Sequence, residues 1–94
     1  MQLHFEWDDE KAQANLHKHG VAFEEVIDVF GDPLELTVPD PDHSEQEDRW
    51  RSIGLASGLR LLVVSYTERG DTIRIISARP ATRQERRQYE EGQR

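Results

Sequence analysis

Leu61-Leu62-Val63-Val64-Ser65-Tyr66-Thr67-Glu68-Arg69-Gly70-Asp71-Thr72-Ile73-Arg74-Ile75-Ile76-Ser77-Ala78 is the stretch whose reading decides the fold. Leu61-Leu62-Val63-Val64 is apolar on both faces of an extended chain, as expected of a central strand. Glu68-Arg69-Gly70-Asp71 has turn chemistry, and Thr72 to Ala78 is rich in β-branched residues, so the stretch reads as a hairpin of two strands, Arg60 to Thr67 and Thr72 to Ala78. Trp50 to Ala56, joined through Ser57-Gly58, and the alternating Leu34-Glu35-Leu36-Thr37-Val38 extend it into an antiparallel meander. Pro39-Asp40-Pro41-Asp42-His43-Ser44-Glu45-Gln46 is an acidic, proline-punctuated loop between them.

Upstream, Leu3, Phe5 and Trp7 alternate with polar residues as a short opening strand. Asp8 or Asp9 can cap a helix that runs through Asn15 and Leu16 and stops at Gly20, with Lys18 and His19 in its last turn. Phe23, Val26, Ile27 and Phe30 follow at i, i+3, i+4 and i+7, a helical stripe ended by Gly31-Asp32-Pro33. At the other end, Thr82 with Glu85 three residues on has the form of a capping box. The helix it opens has only Tyr89 as an apolar anchor, and such a helix is expected to fray or to await another surface. The order βαα, four strands, α makes this an α+β chain: an antiparallel sheet packed against two N-terminal helices plus a C-terminal helix, with residues 1–94 as one domain.

Composition narrows the function. The chain has 94 residues, no cysteine and a formal charge of -7. Its start lacks the features of a signal peptide and no apolar run reaches about 20 residues, which reads as a cytoplasmic protein without a membrane span. Residues 1–59 carry four Lys/Arg and fourteen Asp/Glu, whereas residues 60–94 carry eight Arg and five Asp/Glu. That asymmetry points to an anionic ligand at one end and a basic partner at the other. The four histidines are scattered, with His17 and His19 on different helix faces, which argues against a metal site, and nothing implies a cofactor. With no glycine-rich phosphate loop, nucleophile elbow or zinc signature, nucleotide hydrolases, serine esterases and zinc hydrolases are set aside.

Arg79, Thr82 and Arg83 combine an arginine fork with the unpaired N–H groups of a helix start, an arrangement suited to phosphate. Arg79 alternatively bridges an acidic residue of the first helix. Strict alternation puts Arg74 on the face opposite Arg79, so both reach one site only if a bulge intervenes. Lys18 and His19 either complement a helix dipole or supply proton transfer, and Glu47 is either a general base or an ion-pair partner.

Taken together, Phe5-Glu6-Trp7-Asp8, Lys11, Asn15, Lys18-His19-Gly20-Val21, Phe23-Glu24-Glu25, Glu47-Asp48-Arg49, Ile53-Gly54 and Arg74-Ile75-Ile76-Ser77-Ala78-Arg79 with Ala81-Thr82 resemble the BrnT toxins of type II toxin-antitoxin systems. The resemblance implies a RelE-like fold, ribonuclease activity that arrests translation and growth, and neutralisation by a ribbon-helix-helix antitoxin, BrnA. DNA would then be contacted only through the antitoxin. Carried onto matching positions, the active surface would draw on Lys18, His19, Glu47, Arg49, Arg74 and Arg79, with Arg79, Thr82 and Arg83 at the RNA phosphate. Ala22 departs from the pattern, since the family more often has a capping Ser or Asp there; a lost cap costs about 1 kcal/mol. The rival reading is a non-catalytic binding subunit, a degenerate toxin or adaptor that only complexes a basic partner, and the acidic net charge favours it.

Overall fold

The computed structural model describes residues 2–40, 49–57 and 59–92. Its elements are β1 (His4–Glu6), α1 (Asp9–His19), α2 (Phe23–Val26), a 3-10 helix (Ile27–Gly31), β2 (Leu36–Pro39), β3 (Arg49–Leu55), β4 (Leu61–Arg69), β5 (Thr72–Pro80) and α3 (Arg83–Glu91). They form an α+β fold around one five-stranded sheet of order β1-β5-β4-β3-β2. The sheet is mixed and not wholly antiparallel as expected, because β1 pairs with β5 in parallel. β1 leads into α1, which packs back on β5, the strand that β1 joins.

Local chemistry sets most of the boundaries. Asp8 caps α1 by accepting the Glu10 and Lys11 N–H groups, and Gly20 ends it at φ 71°, the left-handed conformation that glycine adopts without steric cost. Ala22 supplies no side-chain cap. The expected helix over Phe23 to Phe30 is only one α turn followed by 3-10 winding. This tighter segment seats Val29 over Gly54, where a Cβ would stand 2.7 Å from Val29 Cγ1. Of the expected turns and loops, residues 41–48 and Gly58 lie outside the described residues.

The two sheet faces differ. Val21, Phe23, Val26 and Val29 bury against Leu62, Val64, Tyr66, Ile73, Ile75 and Ala78 on one face, the larger apolar layer and the main source of burial free energy. A second, smaller cluster of Ile53, Leu61, Val63 and Tyr89, flanked by Leu36 and Ala81, lies where α3 crosses the other face. Fraying of α3 was expected, but Tyr89 is buried to 8% exposure and its hydroxyl donates to Asp32 Oδ2 at 2.6 Å. Asp32 also accepts from the Leu34 and Leu55 N–H groups. Burial pushes its carboxyl pKa up, but these three donors outweigh it and the net shift is downward. No helix among the described residues is long and apolar enough to cross a membrane.

Candidate nucleic-acid interface

A β-bulge decides the site. Along β4 and β5, Ser65 pairs with Ser77 but Tyr66 pairs with Ile75, so Ile76 is the extra residue in β5. One inserted residue restores parity: Arg74 lies opposite Thr67 and Arg79 opposite Val63, both on the face away from α1 and α2. The condition set by the sequence for Arg74 and Arg79 to share a face is therefore met.

Neighbouring strands add to this face. Arg49 pairs with Thr67 and Arg51 with Ser65, and Arg69 pairs with Thr72 at the end of β4. Alternation then places Arg49, Arg51, Arg69 and Arg74 together, interleaved with Ser65, Thr67, Thr72 and Ser77. Where α3 does not cover it, the face opens into a cleft of about 500 Å³ lined by Glu6, Thr67, Arg69, Thr72 and Arg74. Arg74 Nη1 donates to Glu6 Oε2 at 3.2 Å, with both side chains about half exposed. Arg51 is held by the buried Asp40 at 3.5 Å. Arg51 and Arg69 were not singled out from sequence, and their parity with Arg49 and Thr67 was the signal that would have found them.

The charge asymmetry maps onto layers, not onto halves of the chain. Asp8, Asp9, Glu10, Glu24, Glu25 and Asp28 belong to α1, α2, their caps and the 3-10 helix. Arg49 and Arg51 come from the acidic part of the sequence yet join the basic face. On this face the exposed Arg69 and Arg74, with interspersed hydroxyls, offer guanidinium contacts suited to phosphate.

The expected phosphate pocket of Arg79, Thr82 and Arg83 has a different occupant. Arg79 Nη1 and Nη2 donate to Glu85 Oε1 and Oε2 at 2.7 and 2.8 Å. Thr82 N–H also donates to Glu85 Oε1, and Thr82 Oγ1 accepts from the Glu85 N–H, completing the capping box. The carboxylate of Glu85 thus sits where a phosphate would be held, and the Arg79 fork is directed to it; Arg83 is exposed on α3. Lys18 and His19 end α1, the layer on the apolar face. They belong to the layer across the sheet from the arginine face. Glu47 lies outside the described residues.

The Arg79 bond lowers the Glu85 pKa from 4.5 to about 2, against the opposing effect of burial, with Thr82 N–H helping. Because the folded value lies below the unfolded one, the pair's stabilisation is complete above pH 4.5 and disappears as pH falls towards 2. Allowing for partial exposure, its size is on the order of 1–2 kcal/mol. Urea unfolding of Glu85→Gln is expected to show that loss already at pH 7 and a shallower acid decline than the parent chain; parallel acid limbs would remove the pair as their cause.

A family model described as the ribonuclease toxin BrnT of type II toxin-antitoxin systems matches residues 7–85. Among solved structures, the 1.1 Å crystal structure of the Brucella abortus ribonuclease toxin BrnT is similar, with 26% sequence identity and a TM-score of 0.68 over 87% of this chain and 100% of that one. No curated protein sequence matches the chain.

Proposed function

The chain belongs to the family of BrnT ribonuclease toxins of type II toxin-antitoxin systems, and from that premise we propose that it is a metal-independent endoribonuclease that cuts RNA by 2'-hydroxyl attack and so arrests translation and growth. The observation that carries this reading is the arginine face with its open cleft. Arg49, Arg51, Arg69 and Arg74 hold the RNA backbone, and Arg74 with Arg69 stabilises the charge that develops on phosphorus. Guanidinium groups supply there the positive charge that a divalent ion supplies in other nucleases. Arg79 serves this site through Glu85 by fixing the start of α3.

We read the fold as RelE-like, the location as cytoplasmic, the chain as one domain and the antitoxin as a BrnA-like ribbon-helix-helix protein, with DNA engaged only through that partner. The acidic helix layer suits a basic partner by charge. The test is digestion of total RNA by the purified chain in excess chelator, alongside growth after induced expression with and without the neighbouring antitoxin. Cleavage is expected to persist in chelator, and growth arrest to be relieved by the antitoxin. A requirement for added metal would overturn metal independence, and absence of cleavage would favour the binding-subunit reading.

A further inference from the structure

Strand β1 carries two titratable side chains on the arginine face that the reading above leaves unused. His4 and Glu6 alternate along β1, in register with Thr72 and Arg74 of β5. Both therefore point to the side of the sheet that bears Arg74 and Arg69. The Cα atoms of residues two apart on a strand are separated by about 6.6 Å. Glu6 lines the cleft and its carboxylate meets Arg74 at 3.2 Å. His4 stands beside Thr72, another lining residue, with Nε2 3.7 Å from Asp71 Oδ2. His4 and Glu6 are 63% and 53% exposed, open to a polymeric substrate.

Cleavage by 2'-hydroxyl attack makes a specific geometric demand. The entering 2'-oxygen and the departing 5'-oxygen lie on opposite sides of phosphorus, so base and acid must flank the phosphate, each within hydrogen-bond reach of its oxygen. That requires two functional groups on either side of a cation that holds the phosphate. The geometry points to Glu6 as the general base and His4 as the general acid of the cleavage reaction, with Arg74 and Arg69 holding the phosphate between them. The Glu6 carboxylate takes the proton from the 2'-hydroxyl, and the 2'-oxygen forms its bond to phosphorus. The bond from phosphorus to the 5'-oxygen breaks, and that oxygen takes a proton from the His4 imidazolium. The products are a 2',3'-cyclic phosphate and a 5'-hydroxyl, with no other reactant consumed. Asp71 on the Nε2 side leaves Nδ1 to donate. Arg74 orients Glu6 in the free protein and is released to the phosphate when RNA binds.

This assignment rests on the ribonuclease reading, and the test separates the two. A short oligonucleotide is built around a site mapped in the total-RNA digest, with one free 2'-hydroxyl and every other 2'-position methylated. A second version carries sulfur in place of the departing 5'-oxygen, a leaving group that needs no proton. Glu6→Gln, which keeps the shape and an acceptor for Arg74, is expected to slow cleavage of both versions by about 10²–10⁴. His4→Ala is expected to slow the oxygen version by a similar factor and to cut the sulfur version within about tenfold of the parent chain. Circular dichroism and RNA binding of both variants should match the parent. Glu6→Gln cutting at the parent rate, His4→Ala being equally slow on both versions, or loss confined to Glu47→Gln would overturn the assignment and leave the ribonuclease reading standing. No cutting of either version or of total RNA by the parent chain would overturn both.

Discussion

Arg69→Ala combined with Arg74→Ala is expected to reduce RNA cleavage by at least about 10³-fold while the protein stays folded. Removing one preorganised cation from a developing phosphate charge costs about 10²–10³ in rate, and both side chains line the same cleft. Stability should barely change, because Arg69 is exposed and Arg74 has a half-exposed partner in Glu6, a pair worth at most about 1 kcal/mol. Arg51 would be a poor choice for this test, since its loss removes a guanidinium partner from the buried Asp40 carboxylate. Arg86→Ala with Arg87→Ala removes the same charge from the exposed side of α3 and should leave cleavage within about threefold, which separates local contacts from net charge. RNA affinity offers a second readout: two lost phosphate contacts lower the slope of log K against log salt by roughly 1.4 for a single strand. A cleft variant with unchanged cleavage and an unchanged slope would move the active surface elsewhere.

The largest effect on stability is expected from a residue with no place in the chemistry. Asn15 is 6% exposed, and its side-chain amide donates to Val21 O at 3.0 Å and Ala78 O at 2.9 Å while accepting from Ala78 N–H at 3.0 Å. Strand β1 stops pairing at Arg74, so among the described residues no strand neighbours β5 at Ala78 on that side. The carboxamide of Asn15 takes the place of a strand residue there and closes the sheet edge with α1. Asn15→Leu keeps the volume but leaves three buried backbone groups unsatisfied, at a cost of about 3–5 kcal/mol. That is a large share of the roughly 5–15 kcal/mol that holds a domain together. Chemical denaturation should show this as a lower midpoint at unchanged slope, with Leu16→Ala, an exposed neighbour, as the mild comparison. A midpoint within about 1 kcal/mol of the parent would mean that water satisfies Ala78 and that the amide is dispensable.

Asn15 and the arginine face show where sequence reasoning reaches and where it stops. The helix stop at Gly20, the cap at Asp8, the Thr82–Glu85 box and the β4–β5 hairpin were legible. Each depends on atoms a few residues apart, so residue type and spacing suffice. The apolar face under α1 and α2 was legible for the same reason, since strand and helix periods expose which side is apolar, whereas the placement of α3 on the opposite face was not. The 3-10 winding after Val26 was not, because it answers to Gly54 on another strand. Nor was the parallel β1 edge, whose partner lies about 70 residues away in the chain.

By itself, then, the sequence determined the order of elements, their caps and turns, the layer that would be apolar, and the resemblance that points to ribonuclease chemistry. The tertiary structure decided which arginines act together. A single extra residue at Ile76 brings Arg74 onto the face of Arg79, and pairing across three strands brings Arg49, Arg51 and Arg69 beside it. It also turned Arg79 from a phosphate ligand into the partner of Glu85 and set Glu6 in the cleft, with His4 in register with Thr72 on the same face. The physical reason is that face and register in a sheet are relations between strands: one residue of slip inverts every side chain, and no local signal in either strand records it.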